Sequence, residues 1–254
     1  MTGYTNIQVA GGDTSRPINL SKRVKVIAES IPLTGARVLD AGCGAGEYVE
    51  SLCDLGAIAC GIEYLPDKVA QWVARHPGDT RVQQGDIEAL PFDDECFDAA
   101  VMNEVLEHVP DEERALREIR RVLRPGGVLL IFSPNRLYPF ETHGVHSIRH
   151  GHSIPPIRTF LLPWVPVSIA TRIVKPWARN YWPSDLRRIS QSAGFRIQSH
   201  SFVWQTFENI SGRRPKILKM LAPLLRAVAG AAERLPIIRS FGVSQVLVLR
   251  KPED

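Results

Sequence analysis

No run of about 18 apolar residues occurs in the 254-residue chain, so the sequence offers no membrane-spanning helix. Its opening stretch, Met1 to Pro17, lacks the apolar core of a secretory signal, which predicts a cytoplasmic protein. The four cysteines (Cys43, Cys53, Cys60 and Cys96) lack zinc-type pairing and predict free, mostly buried thiols in a reducing compartment. Internal repeats and low-complexity tracts are absent. So are arginine-rich tracts and aromatic-interleaved basic strands, which argues against nucleic acid as a partner. What is present, 44% hydrophobic and 23% charged residues, suits one α/β domain large enough to bury a core.

Charge is distributed unevenly. Residues 1–134 carry 13 Lys and Arg against 21 Asp and Glu, whereas residues 135–254 carry 18 against 6. A basic half steers anionic partners. Phosphorylated or lipid-linked acceptors and an anionic membrane surface are candidates, and the plain alternative is attraction between the two halves or within a homodimer.

Hydrophobic patterning divides the chain further. Residues 21–31 read as a helix closed by Pro32, and strands then alternate with helices: strands at 37–40, 58–62, 81–84, 97–102 and 128–132. Pro66 opens one helix, a second runs over 111–123 with arginines at its end, and Pro125-Gly126-Gly127 reads as a turn. This alternation predicts a parallel sheet covered on both faces. After Ser133 the rhythm stops. Residues 135–182, with three of the five tryptophans and four of the seven histidines, read as an active-site lid. A helix over 183–193 with Ser184 as cap, a strand over 195–203 and a final strand over 244–249 complete the chain. The division is therefore one domain, 1–254: a cofactor core (17–134), a lid (135–182) and a C-terminal substrate side (183–254) with a basic amphipathic insertion at 205–240.

Val38 to Gly46 (VLDAGCGAG) runs an apolar strand into a glycine turn and a helix, and Gly42, Gly44 and Gly46 let backbone approach a ligand. Asp40 ends that strand, where a carboxylate receives an ammonium group and would repel a pyrophosphate. Glu63, with Tyr64 beside it, ends the second strand, where an acid takes both hydroxyls of a ribose. That feature alone leaves a dinucleotide and S-adenosylmethionine both open. Asp86 and Ile87 suit an adenine edge and face, and Asn103-Glu104 ends the fourth strand. Acids in register after successive strands point to one ligand across the carboxyl ends of the sheet.

The segments VLDAGCGAGEYVESL, GIEYLPDKV, GDIEALPFDDECFDAAVMNEVLEHVPD and ALREIRRVLRPGGVLLIFSPN together resemble the successive motifs of class I S-adenosylmethionine-dependent methyltransferases of the ubiquinone/menaquinone-methyltransferase type. The resemblance covers roughly residues 36–135. It implies a Rossmann-like, seven-stranded, mostly parallel sheet with helices on both faces and an antiparallel last strand. It further implies that Asp40 and the glycines hold the methionine part of the cofactor, Glu63 the ribose, and Asp86 and Ile87 the adenine, with His108 lining the pocket. It leaves the acceptor open, because such motifs serve sugar, lipid, quinone and antibiotic methyltransferases alike.

Methyl transfer to a hydroxyl needs a base near the acceptor oxygen. His143 is the first candidate, with His146 and Glu104 behind it. Glu141, His143 and His146 are also candidate ligands for a divalent metal such as Mg, although their spacing matches no zinc motif. The plain alternative is a histidine-bearing loop that only packs. Trp164, Trp177, Tyr181 and Trp182, among Arg149, Arg158, Arg172, Lys175 and Arg179, could stack on a sugar and hold an anion. Residues 216–235 place Ile217, Leu221, Leu224, Leu225 and Val228 on one helical face with Lys219 and Arg226 opposite and Pro223 inside. Packing in the core or a homodimer is favoured there over contact with a membrane. The expectation is O-methylation of a sugar-containing or glycolipid acceptor by a monomer or homodimer. The alternatives are C-methylation of an isoprenoid quinone or lipid, and a cofactor-binding regulatory or RNA-binding module without catalysis.

Overall fold

A computed structural model of the chain describes residues 18–141, 145–149, 151–176, 178–204 and 216–253. His143, His150 and Trp177, and the side chains of Ile217 and Lys219, lie outside the described residues. Helix α1 (Ile18–Ser30) leads into β1 (Arg37–Ala41), which is buried from Val38 onward as a strand covered on both faces must be. Then come α2 (Glu47–Asp54), β2 (Ile58–Glu63) and α3 (Pro66–Arg75), with Pro66 in the first turn of α3 where its fixed φ is already helical. After β3 (Val82–Gln84) and β4 (Phe97–Asn103), α4 (Glu112–Val122) starts at Asp111, whose carboxylate accepts from the Arg114 amide at 2.9 Å.

Strand β5 (Leu123–Pro134) begins earlier than its hydrophobic run indicates. Pro125-Gly126-Gly127 is part of the strand. Leu123 pairs with Phe97 and Val128 with Ala99, so the register shifts between them. Gly126, at φ 74°, accommodates the irregularity inside one extended segment.

The insertion folds on itself. Strands β6 (Val145–Ser147), β7 (Ser153–Ile154) and β8 (Val174–Pro176) form a separate three-stranded sheet in the order β7-β6-β8, with the single turn α5 (Val167–Ala170) before β8. Helix α6 (Pro183–Ser192) follows. Ser184 is not its cap: Trp182 holds that position and Pro183 opens the first turn. The chain ends with β9 (Arg196–Val203), α7 (Lys216–Ala232) and β10 (Ser244–Arg250).

The main sheet has seven strands in the order β3-β2-β1-β4-β5-β10-β9. All contacts from β3 to β5 are parallel, and β10 runs antiparallel to both β5 and β9. Each face carries its own core. One joins Leu116 and Ile119 of α4 to Leu186 and Ile189 of α6, and the other joins Ile27 of α1, Val49 and Leu52 of α2, and Trp72 of α3.

In helix α7, Leu221, Leu224 and Val228, the face expected to pack in the core or a homodimer, are exposed, which sets core packing aside, while Ala229 and Ala232 are buried. Small alanine side chains make the close contact and leave the leucines outside. Lys22 of α1 pairs with Glu233, just past α7, and donates to the Trp204 carbonyl at 3.3 Å. Among the described residues no helix is long and apolar enough to cross a membrane.

Candidate active site

A cavity of about 410 Å³ opens at the carboxyl ends of the parallel strands, the position at which such sheets bind ligands. Gly42, Gly44, Glu63, Tyr64, Ile87, Asn103, Glu104 and His108 line it, together with Asn19 and Arg23 of α1. Asp40, Gly46 and Asp86 do not. Asp40 lies buried beneath the glycine turn, and the Asp86 carboxylate accepts from the Glu88 amide at 2.8 Å.

Two glycines of the turn act differently. Gly46 adopts φ 90°, and a Cβ there would lie 2.3 Å from the Trp72 ring, so the position serves packing under the sheet. Gly44 adopts φ 56° with nothing within 4 Å of its notional Cβ, so its missing side chain is open cavity. Its amide donates to Glu63 Oε2 at 2.8 Å, and the Leu65 amide donates to Glu63 Oε1 at 2.8 Å. These bonds fix the carboxylate and leave a lone pair on each oxygen for a diol.

Asp40 is the least compensated group in the site. It is 1% exposed, and neither carboxylate oxygen has a partner. Burial, reinforced by the nearby Glu63 and Glu47, pushes its pKa up to about 8. An arriving ammonium would relieve that cost.

Arg23 was not foreseen, although it dominates the other wall. It is 5% exposed and donates from Nη1 to Asn103 Oδ1, from Nη2 to Glu104 Oε1 at 2.6 Å, and to Ser244 Oγ at 2.9 Å. Burial opposes its charge, but Glu104 and Tyr48 more than offset this and hold its pKa above the ordinary value. Its Nε is buried without a partner, a donor left for an incoming anion. The sequence held no local signal for it, because its partners lie 80 to 221 residues away. Glu104 itself sits at φ 56°, a strained conformation for a non-glycine residue, and also accepts from Ser244 Oγ at 2.6 Å.

His108 lies on the cavity wall with Nε2 3.9 Å from Glu107 Oε1. Burial and the neighbouring Glu104 push Glu107 well above the usual carboxylate range. The remaining candidates are elsewhere. Glu141 is buried, its amide donates to Thr159 Oγ1 at 2.9 Å, its carboxylate accepts from Asn180, and it lines a second cavity of about 360 Å³. His146 lies in β6, in register with Ser153 and Lys175, and is not part of the first cavity's lining. With His143 outside the described residues, no group of three or more His, Cys, Asp or Glu that could hold a metal ion occurs among those described. The aromatic residues do not face the first cavity either. Tyr181 is buried and donates to the Leu106 carbonyl at 3.1 Å, Trp182 lies under Arg136, and Trp164 meets Phe241 on the outside. Cys43 is the one buried thiol, while Cys53, Cys60 and Cys96 are half-buried; all four are free.

Residues 39–131 match the family model described as "Methyltransferase domain". Over that stretch the chain is similar to methyltransferase domains. The chain is 29% identical over 187 residues to "Ubiquinone biosynthesis O-methyltransferase" of Coxiella burnetii, covering 72% of this chain and 74% of that one. It is 40% identical over 122 residues to the protein of the same name from Xanthomonas oryzae, covering 45% and 49%. Among solved structures, an S-adenosylmethionine-dependent methyltransferase from Mesorhizobium loti aligns with TM-score 0.58 at 20% identity, over 91% of this chain and 100% of that one. The [4+2]-cyclase SpnF aligns with TM-score 0.60 at 24% identity, over 99% and 88%. A cyclase among the structural relatives shows that this fold alone does not fix the reaction.

Proposed function

We propose that this methyltransferase O-methylates a ring hydroxyl on an acceptor with an apolar portion, of the quinone-precursor type, with His108 as the general base. The observation that carries the reading is the position of His108: it is the one imidazole lining the first cavity among the described residues. The names of the Coxiella and Xanthomonas relatives support oxygen as the methylated atom and a quinone-type acceptor. A sugar acceptor has less support, since none of the described aromatic residues expected to stack on it lines that cavity.

S-adenosylmethionine, when bound, supplies a methyl group on a positively charged sulfur. The residues present fit its amino-acid end. Arg23 offers its unpartnered Nε to the carboxylate, and Asp40, two residues before the lining Gly42, keeps two unpartnered oxygens that the ammonium would meet through a bridging water. Glu63 would take the ribose, and Ile87, on the cavity wall, would lie against the adenine. Glu104, engaged by Arg23 and Ser244, acts as a fixed wall of the cavity. His108 then accepts the hydroxyl proton at a ring nitrogen as the new bond forms, beside a Glu107 that resists ionisation.

His108→Gln is expected to lower single-turnover methyl transfer by about 10²–10⁴ while S-adenosylhomocysteine affinity holds. The acid limb of the pH profile should disappear with it. Near-normal turnover in this variant, with the loss appearing in His143→Ala, would move the base to the loop after β5. Loss of turnover on chelation with EDTA and its return with Mg would instead assign a metal to the reaction.

A further inference from the structure

We propose that the outer face shared by the insertion and α7 docks onto an anionic phospholipid bilayer. This is independent of the acceptor's identity. Of eighteen exposed large hydrophobic residues among those described, fourteen fall after residue 147. The insertion contributes Phe160, Trp164 and Ile173, and the C-terminal segment contributes Leu224, Val228 and Ile237. Trp164 and Phe241, with ring centroids 6.5 Å apart, join the two segments into one surface.

Charge identifies the occupant. Residues 145–176 contain no Asp or Glu, and their four cations, Arg149, Arg158, Arg172 and Lys175, are all exposed. Residues 216–250 contain a single acid, Glu233, which is already taken by Lys22. Apolar side chains flanked by exposed cations match an interface of acyl chains beneath anionic headgroups, and a half-exposed Trp suits the headgroup level. A second copy of the chain fits poorly. A twofold contact would set this acid-poor surface against itself and leave its cations facing cations.

The test uses the full chain and sucrose-loaded vesicles of phosphatidylcholine, with or without about one third phosphatidylglycerol. Co-sedimentation is expected with the anionic vesicles and should fall about tenfold on raising salt to about 0.5 M or on omitting phosphatidylglycerol. The pair Leu224→Glu and Ile237→Glu should lower partitioning by about tenfold or more, because both residues are exposed and the fold does not depend on them. Val73→Glu, on an exposed residue of α3, should leave partitioning unchanged, and S-adenosylhomocysteine binding reports that each variant is folded. Failure to sediment with anionic vesicles at low salt would overturn the proposal. So would equal partitioning of all variants, or a dimer in solution that Leu224→Glu converts to monomer.

Discussion

The two halves of this chain spend their charged and apolar residues in opposite ways. Before residue 135 the buried acids, Asp40, Glu63 and Glu107, lie at or shortly after strand ends, and the large apolar side chains are nearly all buried in the two cores. After it most cations are exposed, and many apolar side chains of the insertion and α7 are exposed with them. The first arrangement costs stability locally to prepare a cavity for a charged ligand. The second puts no comparable strain on the core and prepares a surface. Buried groups therefore report on folding and on the cofactor together, whereas outer groups report on docking alone.

The sharpest way to break this contrast is at the glycine turn. Gly46→Ala forces a Cβ into Trp72 at a positive φ and should destabilise the fold by about 3–5 kcal/mol in urea denaturation. Gly44→Ala, two residues earlier, meets nothing and should cost only about 1 kcal/mol, yet its methyl group enters the cavity and should weaken S-adenosylhomocysteine. Equal stability losses in the two variants would show that the turn is a single packing unit and not half cavity.

Asp40 gives the next largest effect, with opposite signs in its two readouts. Its carboxyl has the ordinary value of 3.8 in the unfolded chain and about 8 in the empty fold. Folding therefore takes up a proton between those values, and the empty protein loses stability as pH rises through that window. Asp40→Asn removes this loss. The empty variant should melt higher than the parent at pH 7, while S-adenosylhomocysteine binds about ten- to a hundredfold more weakly, or about 1.4–2.8 kcal/mol. Calorimetry showing unchanged affinity would reject the ammonium assignment. Smallest of all, Arg158→Ala and Arg172→Ala should shift unfolding by no more than about 0.5 kcal/mol. A larger shift would mean that the basic face is structural.

What could be read from sequence follows the same boundary. The order of strands and helices and the Pro66 start rest on neighbours within a few residues, and the structure reproduces them, although β5 begins earlier than its apolar run. Periodicity also found α7 and its apolar face but not that this face lies outside the core, since it ranks side chains by hydrophobicity and does not know what they meet. Two alanines made the contact, and the leucines were left to solvent. The small sheet β7-β6-β8 escaped because strands of two or three residues have no measurable period. In the site, the acids at strand ends declared themselves by register. Arg23 and Ser244 did not, since a contact across 221 residues leaves no mark on either local segment.

Lys22 and Arg23 are adjacent in α1 but serve different loads. Arg23 forms a wall of the first cavity, while Lys22 is pinned to Glu233 at the end of the helix that faces outward. One rigid turn of helix thus joins two equilibria that are otherwise far apart in the sequence. If cofactor seating and the position of α7 draw on the same placement of α1, thermodynamic reciprocity requires each to alter the other by the same factor. Cutting the Lys22–Glu233 tie would then leave two independent binding events where the intact chain has one cooperative one.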